Sequence, residues 1–151
     1  MLLSSARGRP PAVSDRRALP TLLRSYRTEW LDPGRRGQHC IQLASGFYEW
    51  RVDEYGRKAP YLITMAEQEL FGFAALWDRR VREVGTAVKS CVHITMLTNE
   101  LLAEIHNTGN SPHRMPAILR GEDRETWLTG TPEEARAVLR QYPATSWTVT
   151  R

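Results

Sequence analysis

The chain reads as an α+β protein on three observations. Short runs rich in aromatic and β-branched residues recur from residue 40 onward, parted by glycine or charged turns, which predicts a sheet of five or more strands. Segments starting near residues 99 and 131 carry helix-start signals instead: Asn99 before an acidic residue, and Thr131 before Pro132-Glu133-Glu134. The length of 151 residues, with 41% hydrophobic and 25% charged, suits one globular domain with its own core.

Residues 1–38 hold Arg7, Arg9, Arg16, Arg17, Arg24, Arg27, Arg35 and Arg36, with Pro10-Pro11 and Asp32-Pro33-Gly34 as breakers. Little periodicity exists there beyond Leu22-Leu23, so an irregular arm with at most one short helix is expected. Strands are expected at 40–43, 47–52, 61–65, 71–77 and 91–97, where branched and aromatic residues cluster. A short helix is expected over 99–105, capped by Asn99 or Thr98, and another over 122–128, ended near Gly130. The clearest helix runs over 131–139, with Thr131 as its cap. Phe73 and Trp77 are expected in the core, and Met65, Met96 and Met115 are read as packing residues.

Several function classes are excluded early. No apolar run approaches the roughly 18 residues of a membrane span, and Met1-Leu2-Leu3 is too short for a signal peptide, so a cytoplasmic protein without a membrane partner is expected. Cys40 and Cys91 form no Cys-x-x-Cys pair and read as buried small hydrophobes. A metal centre built from His39, His93, His106 and His113 with Glu104 lacks the paired histidine spacing such sites use, so no metal and no cofactor are expected. The net charge of +4 is carried almost wholly by arginine, Lys58 and Lys89 being the two lysines. That skew fits an anionic partner and equally fits an arginine-rich codon bias.

Two stretches carry chemistry. In Gly46-Phe47-Tyr48-Glu49-Trp50, strand alternation puts Phe47 and Glu49 on one face and Tyr48 and Trp50 on the other, leaving a carboxyl group beside apolar surface on either choice. Such surroundings make a carboxyl usable as an acid or base near neutrality. Ile105-His106 and His113-Arg114-Met115-Pro116 add an imidazole able to move a proton near pH 7 and a guanidinium able to hold a phosphate.

Taken in order, Cys40-Ile41 before the Gly46-to-Trp50 motif, Phe73-Ala74-Ala75-Leu76-Trp77, Ile94-Thr95-Met96 leading to Asn99, and Ile105-His106 before Arg114-Met115-Pro116-Ala117-Ile118-Leu119 resemble the SOS-response-associated peptidase (SRAP) family. The resemblance runs from about residue 26 to 151 and implies a curved, mainly antiparallel, barrel-like sheet with a few short helices. It implies a protein that recognises abasic sites in single-stranded DNA during the DNA-damage response, traps the sugar aldehyde in a covalent DNA–protein crosslink, and removes its own initiator Met. It divides the chain into an arm over 1–38 and a partial SRAP-like domain over 39–151.

The family's nucleophile is a cysteine at position 2, where amine and thiolate together close a thiazolidine; this sequence has Leu2. Ser5-Ala6-Arg7 only faintly echoes a further site-lining motif. The resemblance therefore implies an N-terminally truncated or re-started member unable to form that crosslink. Glu49 corresponds to the family's catalytic glutamate and His106 to its catalytic histidine, with His113 as the alternative because the stretch 107–112 separates the two. Arg114 corresponds to a phosphate-contacting arginine, while Trp50 and Tyr48 would offer a stacking face for an unpaired base. A monomer acting at the nucleoid is expected. The competing reading is a non-catalytic module for single-stranded nucleic acid, or a degenerate remnant, since arginines and aromatics alone suffice for binding.

Overall fold

The computed structural model describes residues 34, 36–81, 87–109 and 112–151. The expected arm over 1–38 thus lies almost wholly outside the described residues. At its end the Gly37 N–H donates to the Gly34 carbonyl at 3.2 Å, a turn that leads into the first strand.

Strand β1 (His39–Ala44), β2 (Phe47–Val52), β3 (Lys58–Met65), β4 (Phe71–Val81) and β5 (Ala87–His93) follow one another, and each adjoining pair in the sheets is antiparallel. Next come β6 (Thr95–Leu97), helix α1 (Glu100–Ile105), β7 (Arg114–Pro116) and β8 (Ile118–Leu119). A 3-10 turn (Gly121–Asp123), α2 (Arg124–Thr129), α3 (Pro132–Ala137), a second 3-10 turn (Ala144–Ser146) and β9 (Trp147–Thr150) complete the order.

The α+β class and antiparallel pairing agree with the sequence, but the single barrel-like sheet is divided. One sheet has the order β1-β4-β5 with β8 also on β4, another runs β2-β3-β9, and β6 pairs with β7 alone. None of these closes on itself among the described residues. The division has a visible cause at three buried residues: the Ala74 N–H donates to the Ala117 carbonyl, the Ala117 N–H to Ile94, and the Ile94 N–H to Ala74, each at 2.8 Å. Three ladders meet there and part. The run expected as one strand over 91–97 consequently breaks at Ile94 into β5 and β6, and the Met115-to-Leu119 run breaks at Ala117 into β7 and β8. Ala74 and Ala117 are 0% and 1% exposed, so a larger side chain at either would have to displace packed neighbours.

Aromatic rings join the two larger sheets. Phe47 of β2 meets Phe73 of β4 edge-on at 5.8 Å and Trp147 of β9 at 6.1 Å, while Phe71 meets Trp147 at 6.0 Å. On the opposite side of the first sheet, Trp127 of α2 lies fully buried against His39, 4.3 Å between ring centres, and its indole N–H donates to the Cys40 carbonyl at 2.8 Å. Pro60 is tolerated within β3 because β9 reaches only as far as Leu62, so no neighbour needs the N–H that proline lacks. The β2–β3 turn is tied by Asp53, whose carboxylate accepts from the Tyr55 and Arg57 N–H groups and the Arg57 guanidinium, with Gly56 at φ 76°.

Helix caps follow the sequence. Asn99 accepts from the Leu102 N–H at 3.0 Å, and Thr131 and Glu134 form a reciprocal capping box before α3. Two packing expectations are corrected. Trp77 is 40% exposed and Cys91 is exposed, because β4 and β5 pair with each other well past the end of the core and their outer residues are uncovered. Among the described residues no helix is long and apolar enough to cross a membrane, and no group of His, Cys, Asp and Glu gathers as a metal site.

Candidate functional site

Glu49 sits on β2 opposite Tyr61 of β3, on the side of the sheet where Phe47 enters the core. Gly46 makes that entry possible: a Cβ there would lie 3.0 Å from the Ile63 carbonyl oxygen. On the other side Tyr48 and Trp50 are exposed, and the Lys58 ammonium stands 5.5 Å from the centre of the Trp50 ring. Glu49 and the aromatic pair expected to serve it therefore occupy opposite faces of one sheet, as period-two alternation requires.

The outer edge of β2 is closed by side chains. Glu49 Oε1 accepts from the Trp50 N–H at 2.9 Å. Two residues on, the Asn107 side chain pairs with Val52 in both directions, its Oδ1 accepting from the Val52 N–H at 3.0 Å and its Nδ2 donating to the Val52 carbonyl at 2.9 Å. A carboxamide thus takes the place of a neighbouring strand at that point. This clip joins the strand that bears Glu49 to the residue next to His106, and α1 packs beside β2.

His106 ends α1, half-buried, with its backbone N–H bonded to the Leu102 carbonyl at 2.8 Å. Its Nδ1 lies 2.7 Å from the Arg114 carbonyl and 3.0 Å from the Arg114 N–H. A protonated Nδ1 donates to the carbonyl; an unprotonated Nδ1 accepts from the N–H. One residue of β7 therefore offers Nδ1 a partner in either state, and the ring can exchange a proton at Nε2 without losing its anchor.

Other expected site residues fall elsewhere. His113 is exposed, in the left-handed region at φ 59°, with Nδ1 3.2 Å from the Ala103 carbonyl. Arg114 is 8% exposed, and its guanidinium donates to the carbonyl and hydroxyl of Thr95. Through these bonds Arg114 ties β7 to β6. Burial, and to a smaller degree the neighbouring Cys91, push the Cys40 thiol above its ordinary value, opposite to the shift that activates a nucleophile. His93, 5.5 Å from the Phe73 ring centre, is held below the usual imidazole range by burial. Sequence reasoning misses Asn107 by counting it with a loop; its position after a helix end marks it for local hydrogen bonding, but nothing in the sequence points to Val52.

Comparison with known proteins places this geometry in a family. Residues 20–151 match the family model described as SOS response associated peptidase (SRAP). Abasic site processing protein YoqW of Bacillus subtilis is 33% identical over 110 residues, covering 71% of this chain and 46% of the relative. Abasic site processing protein HMCES of Gallus gallus is 31% identical over 122 residues, 68% of this chain and 34% of the relative. A crystal structure of a protein from Bacteroides thetaiotaomicron superposes with a TM-score of 0.74 at 30% identity, over 82% of this chain and 53% of the other. One from Bordetella bronchiseptica gives 0.72 at 28%, over 80% and 57%. This chain spans about half the length of YoqW and a third of HMCES. With the family model matching nearly the whole polypeptide, the chain belongs to the SRAP family.

Proposed function

We propose that this chain binds DNA at abasic sites in single strands and moves protons at the exposed sugar with Glu49 and His106. The observation that carries the reading is the pair of Arg114 backbone partners around His106 Nδ1, which suits a ring that changes protonation state while staying in place. The names of the relatives as abasic site processing proteins support the substrate. His106 is preferred to His113 because its ring is half-buried and anchored, and because Asn107 links its loop to the strand of Glu49. An abasic sugar opens to an aldehyde as a carboxyl protonates the ring oxygen and the ring carbon–oxygen bond breaks. An imidazole can then remove the proton next to the carbonyl carbon while the bond from the following carbon to the 3′ phosphate oxygen breaks, a double bond forms and the phosphate leaves with the electron pair. We place the protein, as a monomer, at cytoplasmic chromosomal DNA.

A second reading is favoured by the nucleophile inventory. Covalent capture needs a thiolate or an amine at the sugar, and among the described residues the Cys40 thiol is shifted away from the thiolate while Lys58 lies on the sheet face opposite Glu49. A binding module without crosslinking or peptidase activity fits those placements.

Binding of the full chain to oligonucleotides with and without one abasic site, together with strand cleavage, tests both. Glu49→Gln and His106→Ala should each slow cleavage about a hundredfold or more while binding persists. Cleavage unaffected in both variants would remove the proton-transfer assignment, and equal affinity for intact and abasic strands would remove the substrate assignment. Abasic-selective binding with no cleavage by the unaltered chain would establish the binding module.

A further inference from the structure

Strand alternation carries the side of β4 that is buried at Phe71 and Phe73 out past the core, through Ala75 and Trp77 to Arg79. Across the ladder Cys91 of β5 stands opposite Trp77, and Lys89 stands opposite Arg79. This side of the β4–β5 hairpin therefore presents an indole, 40% exposed, followed about 7 Å further along the strand by two exposed cations abreast. Like charges directly opposite each other on a ladder repel and destabilise it. Among the described residues nothing on the same side of the hairpin offsets them: Ala75, Trp77, Arg79 and Val81 of β4 and Ala87, Lys89, Cys91 and His93 of β5 include no carboxylate. The nearest acid in the strand, Asp78, belongs to the opposite side, where it pairs with Arg36 at 3.5 Å. Among the described residues neither Arg79 nor Lys89 forms an ion pair.

The location adds direction to the charge. His93 packs on Phe73, and Phe73 packs on Phe47, so this side of the hairpin is continuous with the face of β2 that bears Glu49. An aromatic face with two cations that no described carboxylate neutralises, leading away from a candidate lesion site, matches what a single strand presents: a base to stack and phosphates to neutralise.

We propose that this side of the β4–β5 hairpin holds the flank of the single-stranded DNA whose abasic residue lies at Glu49 and His106, with a base on Trp77 and phosphates on Arg79 and Lys89. The proposal rests on the function argued above. It also accounts for the tryptophan left uncovered and for the repulsive charge pair, neither of which the fold uses.

The test is the salt dependence of affinity for a fluorescein-labelled oligothymidylate carrying one abasic site, measured with the full chain. Arg79→Gln with Lys89→Gln should flatten the slope of log affinity against log salt by about 1.4, that is about 0.7 for each phosphate no longer neutralised. Trp77→Leu should weaken binding about tenfold and leave the slope unchanged. Arg36→Gln, on the opposite side, should match the unaltered chain. The charge variants should melt no lower than the unaltered chain, since they remove a repulsion. Salt-sensitive binding by the unaltered chain with the same slope in the double variant would overturn the hairpin surface alone; no binding by the unaltered chain would overturn it together with the function it rests on.

Discussion

At Ala74, Ile94 and Ala117 three strand pairs are held by main-chain hydrogen bonds among buried residues, whereas at the outer edge of β2 the chain is held by the side chains of Glu49 and Asn107. The first arrangement rests on main-chain groups, which any side chain leaves available provided Ala74 and Ala117 are not overfilled. The second depends on particular functional groups and is open to solvent. A scaffold built the first way tolerates little change in volume, while a site built the second way can be retuned by one substitution with little loss of fold. The candidate catalytic groups belong to the second region, and the core that positions them belongs to the first.

The largest effect should come from breaking the buried side of that comparison. Trp127→Ala removes a fully buried indole, its packing on His39 and its bond to Cys40, and should cost about 3–5 kcal/mol in chemical denaturation. Ala117→Leu, which overfills the three-way junction, should cost about 1–3 kcal/mol by the same measurement. A junction that accepted leucine without loss would show the crossing to be looser than the bonds imply.

The edge of β2 should respond in the opposite proportion. Asn107→Ala should lower stability by about 1 kcal/mol, yet speed exchange of the Val52 amide and reduce the proposed abasic-site cleavage far more than stability. Asn107→Asp keeps the acceptor for the Val52 N–H and removes the donor to its carbonyl, so it should fall between the two. Turnover unchanged in Asn107→Ala despite rapid Val52 exchange would reduce the clip to a cover for a strand edge.

The smallest effect is that of pH. Burial holds the imidazoles of His39 and His93 below their ordinary value of 6.5, so the unfolded chain takes up protons first as pH falls. The stability they contribute is therefore fully present above about 6.5 and is lost as pH drops through that value toward their folded-state values. The melting temperature should decline across that window, less steeply in His93→Leu; an identical decline would assign the effect to other groups.

Local patterns make much of the molecule legible from its sequence. The aromatic and branched residues of β2 mark both of its ends, and Asn99 and Thr131 declare themselves as caps because their side chains satisfy the adjoining helix ends. Strands β7, β8 and β9 escape such a reading, because runs of two to four residues carry too little periodicity to stand out. The same limit explains Trp77: a strand that outruns its core keeps the same alternation, and only the neighbouring sheet's extent tells where cover ends.

The sequence by itself determined the fold class, the family, and the two stretches on which Glu49 and His106 stand, because residue type, spacing and order are properties of the chain alone. Which groups meet was decided only in three dimensions. Asn107 reaches Val52 across 55 positions of sequence, Arg114 turns inward to Thr95, and Trp50 and Tyr48 face away from Glu49. Each outcome depends on which backbone edge remains unpaired and which face another sheet covers, and those are settled by packing between segments that no local pattern connects.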